Sequence, residues 1–301
     1  MSKDEFIATT PRFSIALDGA VLGGPWFDPE TMHINFDHHD CVNREATMST
    51  AMQVYFAIKG GLMKAFLEGA QRLIHVNDTD QDTAFAVWLL LNYKKFEGNQ
   101  SIPSINRLLA LNDRWDITGG AFPMNLSDSL VMQHNWVFRP YTDLRKSGAL
   151  AQASEAVMRD NLEAVMSRLN SFLMGEAEVV ALDTRHTILH DSPQYRIVHE
   201  IGGNEARYYL FNHGMDAFIS LVTTRPDGRS VWSIGRRSQY IPFPVEKLYD
   251  DFNTAEGFTR ENGWNGSTIV GGSSRMNGSI LTWQQLRDIT DARLRSEGII
   301  S

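Results

Sequence analysis

An acidic residue and two imidazoles follow one another directly at Asp37-His38-His39, at the end of the apolar stretch from Met32 to Phe36. Three adjacent polar groups at a strand end make a poor core, although in a loop they can simply be solvated. Carboxylate and imidazole together suit Mn, Fe or Zn better than Ca or Mg. The triplet is therefore a candidate set of metal ligands, and further candidate ligands elsewhere in the chain would strengthen this interpretation.

A second acidic cluster, formed by Asp78, Asp80 and Asp82, precedes an apolar helix predicted from Thr83 to Tyr93. Acidic residues at a helix start are common caps, but three of them exceed what one cap requires. Crowded carboxylates repel one another unless a cation lies between them. We therefore expect Asp80 and Asp82 to bind metal, with Asp78 as a weaker candidate.

Four further positions carry groups that could bind metal. Asp18 precedes a glycine, so it is either a ligand or an ordinary turn residue. His75 is either a ligand or a satisfied core histidine. Asp113 and Asp116 are either ligands or surface acids at the end of a helix, and their spacing does not choose between them.

Short strands that alternate with helices must position these residues. Strands are predicted at 13–19, 32–36 and 72–76, and helices at 46–67, 83–93 and 104–111. The alternation predicts βαβ units in an α/β fold, with a mostly parallel N-terminal sheet covered by helices on both faces. Because ligands bind beyond the carboxyl ends of such strands, we expect Asp18, the triplet and the second acidic cluster to meet along one edge.

The second half of the chain has a different pattern. From Lys146 to Met174, apolar residues lie roughly on one face of a long helix. Beyond it the chain is predicted to be β-rich, with strands at 178–182, 195–201, 206–212, 217–223 and 230–234, the last two joined by a hairpin turn at 226–228. We therefore expect an N-terminal domain at 1–145, a helical connector at 146–175 and a smaller mixed α/β domain at 176–301, with a cleft between the domains.

Composition limits the classes of partner. The chain has 301 residues and a net charge of −8, which argues against a long duplex nucleic acid. Small phosphorylated substrates stay compatible with this charge, because a metal ion can supply the positive charge. Cys41 is the only cysteine, which fits a reducing compartment. With no apolar run near the roughly 18 residues of a membrane span, we expect a cytoplasmic protein without a membrane anchor.

The run Phe36-Asp37-His38-His39, followed by the segment from Ser49 to Tyr55, resembles the signature motif of the DHH phosphoesterase superfamily. Its members include manganese-dependent inorganic pyrophosphatases, exopolyphosphatases, single-strand exonucleases and nano-RNA or cyclic-dinucleotide phosphodiesterases. Leu17-Asp18 matches the family's strand-then-acid element, and His75 with Asp80-Gln81-Asp82 approximately matches its His-x-x-x-Asp-x-Asp element. Here that element follows the triplet instead of preceding it, and its histidine is one residue farther from the aspartates. The resemblance covers residues 13 to about 120.

The resemblance implies a divalent-metal-dependent hydrolase of phosphoester or phosphoanhydride bonds. Its substrate would be small and phosphorylated, such as a short oligonucleotide, a cyclic dinucleotide or a pyrophosphate-like molecule. Two ions are implied, Mn²⁺ first, with Mg²⁺ or Co²⁺ as alternatives. Asp18 would bridge the ions, and the other implied ligands are His38, Asp80, Asp82, His75 and one of Asp113 and Asp116. Asp37 and His39 would be catalytic, with His39 facing the substrate as a proton donor or a phosphate contact.

The C-terminal part resembles the family's substrate domain more loosely. The backbone of Gly271, Gly272 and Ser273 could form an anion-binding nest, and Arg275 could pair with phosphate oxygens. The alternative is a glycine-rich loop with a surface arginine. One of Arg236 and Arg237 could face the cleft, because neighbours in a strand point to opposite sides, and His213 is a weaker candidate.

Two other classes of function stay open. A non-catalytic protein could bind or sense a phosphorylated ligand in a degenerate DHH-like cleft. A structural subunit could carry these acidic loops without binding metal. Metal binding and metal-dependent turnover separate the three hypotheses, whereas the sequence ranks neither the substrates nor the oligomeric states.

Overall fold

The computed structural model describes residues 1–66, 72–98 and 100–301 of the chain. In this part of the chain the fold is α/β with two mixed sheets, and the residues pack as two compact units. The first unit comprises Met1–Ile117, Asp128–Tyr141 and Ser154–Val180, and the second comprises Thr118–Ser127, Thr142–Ala153 and Ala181–Ser301. The predicted boundaries near 145 and 176 therefore differ from those of the compact units.

A four-stranded sheet forms the centre of the first unit. Its strands are β1 (Ile15–Leu17), β2 (Trp26–Asp28), β3 (His33–Phe36) and β4 (Ile74–His75), in the order β2-β3-β1-β4. β1 is parallel to both β3 and β4, whereas β2 runs antiparallel to β3 at the edge. The three parallel strands lie where the sequence predicts them, and their carboxyl ends share one edge of the sheet.

Helices surround this sheet and supply most of its core. They are α1 (Lys3–Thr9), α2 (Thr50–Lys59), α3 (Leu62–Ala65), α4 (Gln81–Leu91), α5 (Pro103–Ile117), α6 (Ser129–Lys146, in this unit as far as Tyr141) and α7 (Glu155–Met174). The helix predicted at 46–67 is interrupted at Gly60-Gly61, as its glycines require, and its last residue lies outside the described residues. Among the residues that the structure describes, no helix has the length and apolar composition of a membrane span.

The two faces of the sheet are covered differently. Ile15, Leu17 and Ile34 face a large core that includes fully buried Phe85 and Trp88 of α4. Burying side chains of this size stabilises the fold by about 1.5–3 kcal/mol each. On the other face, short α1 places the Phe6 ring against Trp26, His33 and His75. Helices therefore contact both faces of the sheet.

The long helix predicted as a connector instead belongs to the core of the first unit. Val165, Leu169 and Phe172 of α7 are buried in the same hydrophobic cluster as α2, α4 and α5. Of the amphipathic helix predicted from Lys146 to Met174, the part from Glu155 is confirmed as α7. The pattern does not show which surface the apolar face covers. In the structure this face packs against α4, so α7 is not a solvent-exposed connector.

A six-stranded sheet forms the second unit. Its strands are β5 (Thr187–Asp191), β6 (Arg196–His199), β7 (Ala217–Thr224), β8 (Ser230–Arg236), β9 (Asn265–Gly266) and β10 (Val270–Gly272), in the order β5-β6-β7-β8-β10-β9. Only β6 and β7 pair in parallel among these described strands. The unit's helices are α8 (Asn204–Asn212), α9 (Val245–Glu256) and α10 (Trp283–Ser296). The predicted hairpin between β7 and β8 is confirmed.

Two strands predicted in the second half of the chain are wrong. The segment 206–212 is helical, as α8, and 178–182 has no regular structure. A short apolar run fits a buried strand or a buried helix equally well. For 206–212 the parallel pairing of β6 with β7 favours the helix, because parallel neighbouring strands need a crossover connection and α8 supplies it.

A buried ion-pair network joins the elements of the second unit. The carboxylate of Glu200 accepts hydrogen bonds from Arg207, on α8, and from Arg145 at 3.0 Å. The Ser220 hydroxyl on β7 donates to the same carboxylate at 2.7 Å. Glu200 and Arg207 are both buried, so the network satisfies charges that water does not reach.

Candidate metal centre

The carboxyl ends of the three parallel strands bring acids and imidazoles together at one edge of the first unit's sheet. Asp18 directly follows β1, the triplet directly follows β3, and the acidic residues from 78 to 82 lie between β4 and the first turn of α4. Because β1 lies between β3 and β4, Asp18 is the central member. The structure brings Asp18, His38 and Asp82 together, as the strand order predicts.

Two overlapping groups of side chains could each hold a metal ion. One is Asp18, His38 and His39, the other is His38, Asp82 and Asp116, and the ligand atoms of each group lie within 4.8 Å of one another. The Nε2 atom of His38 lies 3.4 Å from Asp18, 2.9 Å from Asp116 and 4.0 Å from Asp82, measured to carboxylate oxygens. His38 is therefore common to both groups, whereas the resemblance to the DHH family implies that Asp18 is the bridging residue.

The backbone at the end of β1 aims the side chain of Asp18 into this cluster. Asp18 has a φ of 54°, a left-handed conformation that aspartate tolerates better than most residues. The hydroxyls of Thr50 and Thr83 each donate to its carboxylate at 3.0 Å. The first turns of α2 and α4 therefore hold Asp18 from two sides, and neither threonine was singled out from the sequence.

Three donors hold the carboxylate of Asp82. Its carboxylate accepts hydrogen bonds from the backbone N–H groups of Thr50 at 2.6 Å and Ala51 at 3.2 Å, at the start of α2. The side-chain amide of Asn112 donates to it at 3.0 Å. Asp82 is fully buried, and this one carboxylate links α4, α2 and α5.

The structure distinguishes between Asp113 and Asp116. Asp116 belongs to a ligand group, whereas Asp113 accepts a hydrogen bond from the backbone N–H of Ser49 at 2.8 Å. Asp80 lies beside the cluster but caps α4, by accepting from the Thr83 N–H at 3.0 Å. Neither Asp80 nor Asp113 is a member of the two groups that the described residues form.

Asp37 organises the loop that carries the two histidines. One oxygen of its carboxylate accepts hydrogen bonds from the backbone N–H groups of His38 at 2.8 Å and His39 at 3.0 Å. Its other oxygen is buried without a hydrogen-bond partner among the described residues. The structure thus gives Asp37 a role in positioning the histidine backbone, and its catalytic role stays a prediction.

His39 is the most accessible member of the cluster, with 38% of its side chain exposed. Its Nε2 atom lies 2.9 Å from Asp18, and its Nδ1 atom lies 2.7 Å from the guanidinium of Arg44. Arg44 also donates to the backbone carbonyl of Asp116 at 2.9 Å. Since a guanidinium only donates, Nδ1 of His39 is an acceptor and its N–H is at Nε2. Arg44 was missed in the sequence, where it is a lone arginine five positions after His39.

His75 lies away from this cluster, contrary to its predicted role as a ligand. It pairs with Ala16 across the sheet, and its ring packs against Phe6 of α1 with centroids 5.1 Å apart. Side chains alternate between the two faces of a strand, and His75 belongs to the face that α1 covers. It is thus a partly buried histidine of the sheet.

Burial and crowding shift the pKa values of the cluster in opposite directions. Burial alone raises the pKa of Asp18, but His39 and His38 outweigh it and hold this pKa well below its ordinary value. Burial lowers the pKa of His38, but Asp116 reverses this effect and raises that pKa to about 10. Burial, Asp116 and Asp18 together raise the pKa of Asp82. These shifts favour the protonated forms of His38 and Asp82 and the ionised form of Asp18.

The donor set fits a metal ion for a geometric reason. His38 Nε2 and Asp116 Oδ2 lie 2.9 Å apart as an ion pair, yet neither of these buried atoms has a partner in good hydrogen-bond geometry among the described residues. Buried polar atoms are normally paired, so atoms that converge without hydrogen-bond geometry point to a missing common partner. Carboxylates and a neutral imidazole are a donor set suited to divalent transition metals.

Mn²⁺ binding is expected to release protons and to become tighter as the pH rises. A histidine must be neutral to bind metal, whereas the pKa of about 10 keeps His38 protonated at neutral pH. Each proton released makes the association constant rise about tenfold per pH unit. Calorimetric titration between about pH 6 and 8, in buffers of different ionisation enthalpy, counts the protons.

The matched control is His38→Gln, which has no proton to release at this position and should bind Mn²⁺ more weakly with a smaller proton count. Wild-type affinity that does not change with pH would contradict this electrostatic account of the cluster.

In the second unit, the glycine-rich segment is part of the sheet. Gly271 and Gly272 pair with β8, and a Cβ on Gly272 would lie 2.2 Å from the carbonyl oxygen of Trp232. Ser273 continues this ladder through two hydrogen bonds with the Trp232 backbone. Close strand packing explains these glycines, and the predicted anion-binding nest is not formed. Arg275 lies in the exposed turn that follows.

The other predicted substrate contacts of the second unit have protein partners. Arg236 donates to the carbonyls of Thr268 and Ile241, both at 2.9 Å. Arg237 pairs with Asp216 at 3.0 Å. The ring of His213 is exposed at the end of α8. It stacks on Tyr209 with a centroid separation of 3.9 Å. These partners account for the present positions of the three side chains.

No family model matches the chain, and a search of curated proteins also found no match. The chemistry of the side chains at the sheet edge therefore carries the functional argument.

Proposed function

We propose that the protein is a divalent-metal-dependent hydrolase of phosphoester or phosphoanhydride bonds, related to the DHH phosphoesterases. The observation that carries the proposal is the pair of overlapping ligand groups around His38, at the carboxyl ends of three parallel strands. These ends are where α/β sheets bind ligands. The resemblance of the triplet to the DHH motif supports the same chemistry, although its elements occur in rotated order.

In this proposal Asp18, His38, Asp82 and Asp116 hold the metal ions. Mn²⁺ is the first expectation, with Mg²⁺ or Co²⁺ as alternatives. Two ions are proposed from the resemblance, and His38, which both groups share, would bind only one of them through Nε2. The chemistry supplied by bound divalent ions is activation of water and neutralisation of charge on the phosphate. The protein's own contribution is to fix the ligand oxygens, through Thr50, Thr83 and Asn112, before the substrate arrives.

His39 is the residue that we propose to face the substrate. It combines partial exposure with an N–H at Nε2, which now donates to Asp18. The same N–H can donate to a phosphate oxygen or to a leaving group. Arg44 holds the ring through Nδ1, so the direction of this donor is set before the substrate binds.

A small phosphorylated substrate fits the charge balance of the chain. The net charge of −8 opposes a long polyanion, whereas a metal centre and a nearby guanidinium can bind one or two phosphates. A pyrophosphate-like molecule, a cyclic dinucleotide and a short oligonucleotide are all candidates. Arg275 of the second unit is exposed and is a proposed phosphate-binding residue.

The test compares two aspartates one helical turn apart. Asp116→Asn is expected to reduce Mn²⁺-dependent turnover by roughly 100-fold or more, since it removes a charged ligand. Asp113→Asn is the matched control and should retain activity, because the asparagine oxygen can still accept from the Ser49 N–H. Release of phosphate or nucleotide from pyrophosphate, a cyclic dinucleotide and a dinucleotide is measured with and without Mn²⁺.

Equal activity in the two variants would contradict the ligand assignment. Binding of one of these compounds without metal-dependent turnover would support a phosphorylated-ligand sensor instead of an enzyme.

A further inference from the structure

A buried histidine that the proposed chemistry does not use lies behind the metal centre. His134 of α6 is 1% exposed, and its ring packs between Trp115 of α5 and Phe138. The ring centroids are 5.3 Å and 4.7 Å away, respectively. Histidine is a costly residue in such surroundings unless its ring nitrogens have partners. A phenylalanine would fill this space at lower cost, so the imidazole calls for an explanation.

The hydrogen bonds of His134 lead to the metal ligand Asp82. His134 Nε2 lies 3.2 Å from the side-chain oxygen of Asn112, and the Asn112 amide nitrogen lies 3.0 Å from Asp82 Oδ1. Asn112 is 1% exposed, so water cannot replace either of these partners of its side-chain amide. The contacts form a single chain from α6 through α5 to α4.

The direction of each donor in this chain is fixed by elimination. As a metal ligand Asp82 is ionised and only accepts hydrogen bonds, so the NH₂ group of Asn112 faces Asp82 and its oxygen faces His134. That oxygen can only accept, so Nε2 of His134 carries the proton. Burial lowers the pKa of His134 to about 3, and the ring therefore stays neutral over the working pH range.

We propose that Asn112 and His134 are positioning residues, which lock the carboxylate of Asp82 so that its Oδ2 faces His38. The inference rests on the proposed function insofar as Asp82 is a metal ligand. Oδ1 of Asp82 is occupied by Asn112 and by the backbone of Ala51. Oδ2 is the oxygen 4.0 Å from His38 Nε2. Without His134, the Asn112 amide is free to rotate and to turn its oxygen toward the carboxylate.

The experiment measures Mn²⁺ affinity by calorimetry and the visible absorption of the Co²⁺-loaded protein, so that turnover is not needed. Asn112→Ala should weaken Mn²⁺ binding by roughly 10–100-fold, the usual effect of removing a partner of a ligand. His134→Phe fills the same space without a donor and should weaken binding in the same direction. His134→Gln retains an N–H near the position of Nε2 and should restore both the affinity and the Co²⁺ spectrum.

The outcomes separate the two proposals. Mn²⁺ binding by the wild type, with unchanged affinity and spectra in folded Asn112→Ala and His134→Phe, would overturn the positioning role alone. If His134→Phe does not fold, Asn112→Ala decides, and its wild-type affinity would again overturn the role. Absence of Mn²⁺ binding in the wild type would overturn both the positioning role and the proposed hydrolase.

Discussion

Asp18→Asn is expected to abolish high-affinity Mn²⁺ binding while the fold is retained. Asp18 is the central acid of the sheet edge and lies 2.9 Å from His39 and 3.4 Å from His38. The substitution removes the charge at almost constant shape. We expect a larger loss of affinity than the roughly 10–100-fold that removal of an outer partner costs, and a matching loss of turnover.

Asparagine is the informative replacement because it suits this backbone. A φ of 54° is strained for most residues, but asparagine tolerates it as aspartate does. The hydroxyls of Thr50 and Thr83 can rotate and accept from the new NH₂ group, since a hydroxyl both donates and accepts. Loss of metal binding would therefore report on the missing charge and not on a collapsed strand end.

The measurement is a calorimetric Mn²⁺ titration of metal-stripped protein, with thermal unfolding recorded in parallel. Asp28→Asn is the matched control, because Asp28 also ends a strand of this sheet. β2 runs antiparallel to β3, so Asp28 lies opposite His33 at the other end of that strand. Wild-type binding by Asp18→Asn would remove Asp18 from the metal centre and with it the central argument for hydrolysis.

The sequence predicts the part of the site that depends on strand ends. Parallel strands ending in acids must place those acids at one edge, and Asp18, His38 and Asp82 do meet there. The prediction fails for His75, because the sequence does not show which face of the sheet each side chain of the two-residue strand β4 occupies. His75 therefore points to the face that α1 covers.

Local sequence patterns do not identify the residues that support the site. Arg44, Asn112 and His134 have no spacing that marks them, and each acts through a contact with a residue distant in the chain. The same limit affects the fold. The pattern of α7 predicts a helix, but only tertiary packing shows that it covers α4.

The helices that follow the α/β core also hold the acidic loop before α4. The Tyr141 hydroxyl of α6 donates to Asp78 at 2.9 Å. The Asn161 side chain of α7 donates to the backbone carbonyl of Thr79 at 3.0 Å and to its hydroxyl at 2.9 Å. Asp78 is thus tied to protein, which explains why a third acid can stand so close to Asp80 and Asp82. Preorganisation of the loop, like that of Asp82, comes from outside the motif.

Glu200→Gln is expected to cause the largest loss of stability, in the second unit. The substitution keeps the shape of the side chain but leaves Arg207, 4% exposed, without its counter-charge. Removing one partner of a buried ion pair costs about 3–5 kcal/mol of unfolding free energy. Arg145 loses the same carboxylate, so relaxation of Arg207 alone cannot relieve the unpaired charge.

The pH dependence gives this prediction a second readout. Burial raises the pKa of Glu200, but Arg207 and Arg145 outweigh it and hold that pKa below the ordinary value of 4.5. A depressed carboxyl pKa stabilises the folded state above the unfolded value, and this stabilisation is lost as the pH falls through the folded value. The difference in unfolding free energy between the wild type and Glu200→Gln should therefore shrink in acid, below about pH 4.5.

Denaturant unfolding of the two proteins at neutral and acidic pH measures both effects. Asp250→Asn is the control, because it weakens an ion pair with Arg260 in the same unit that is largely exposed to solvent. Exposed pairs contribute about 1 kcal/mol or less, so the control should unfold close to the wild type. A Glu200→Gln protein as stable as the control would show that Arg207 finds solvent or another partner, and that the network is not what holds α8 to β7.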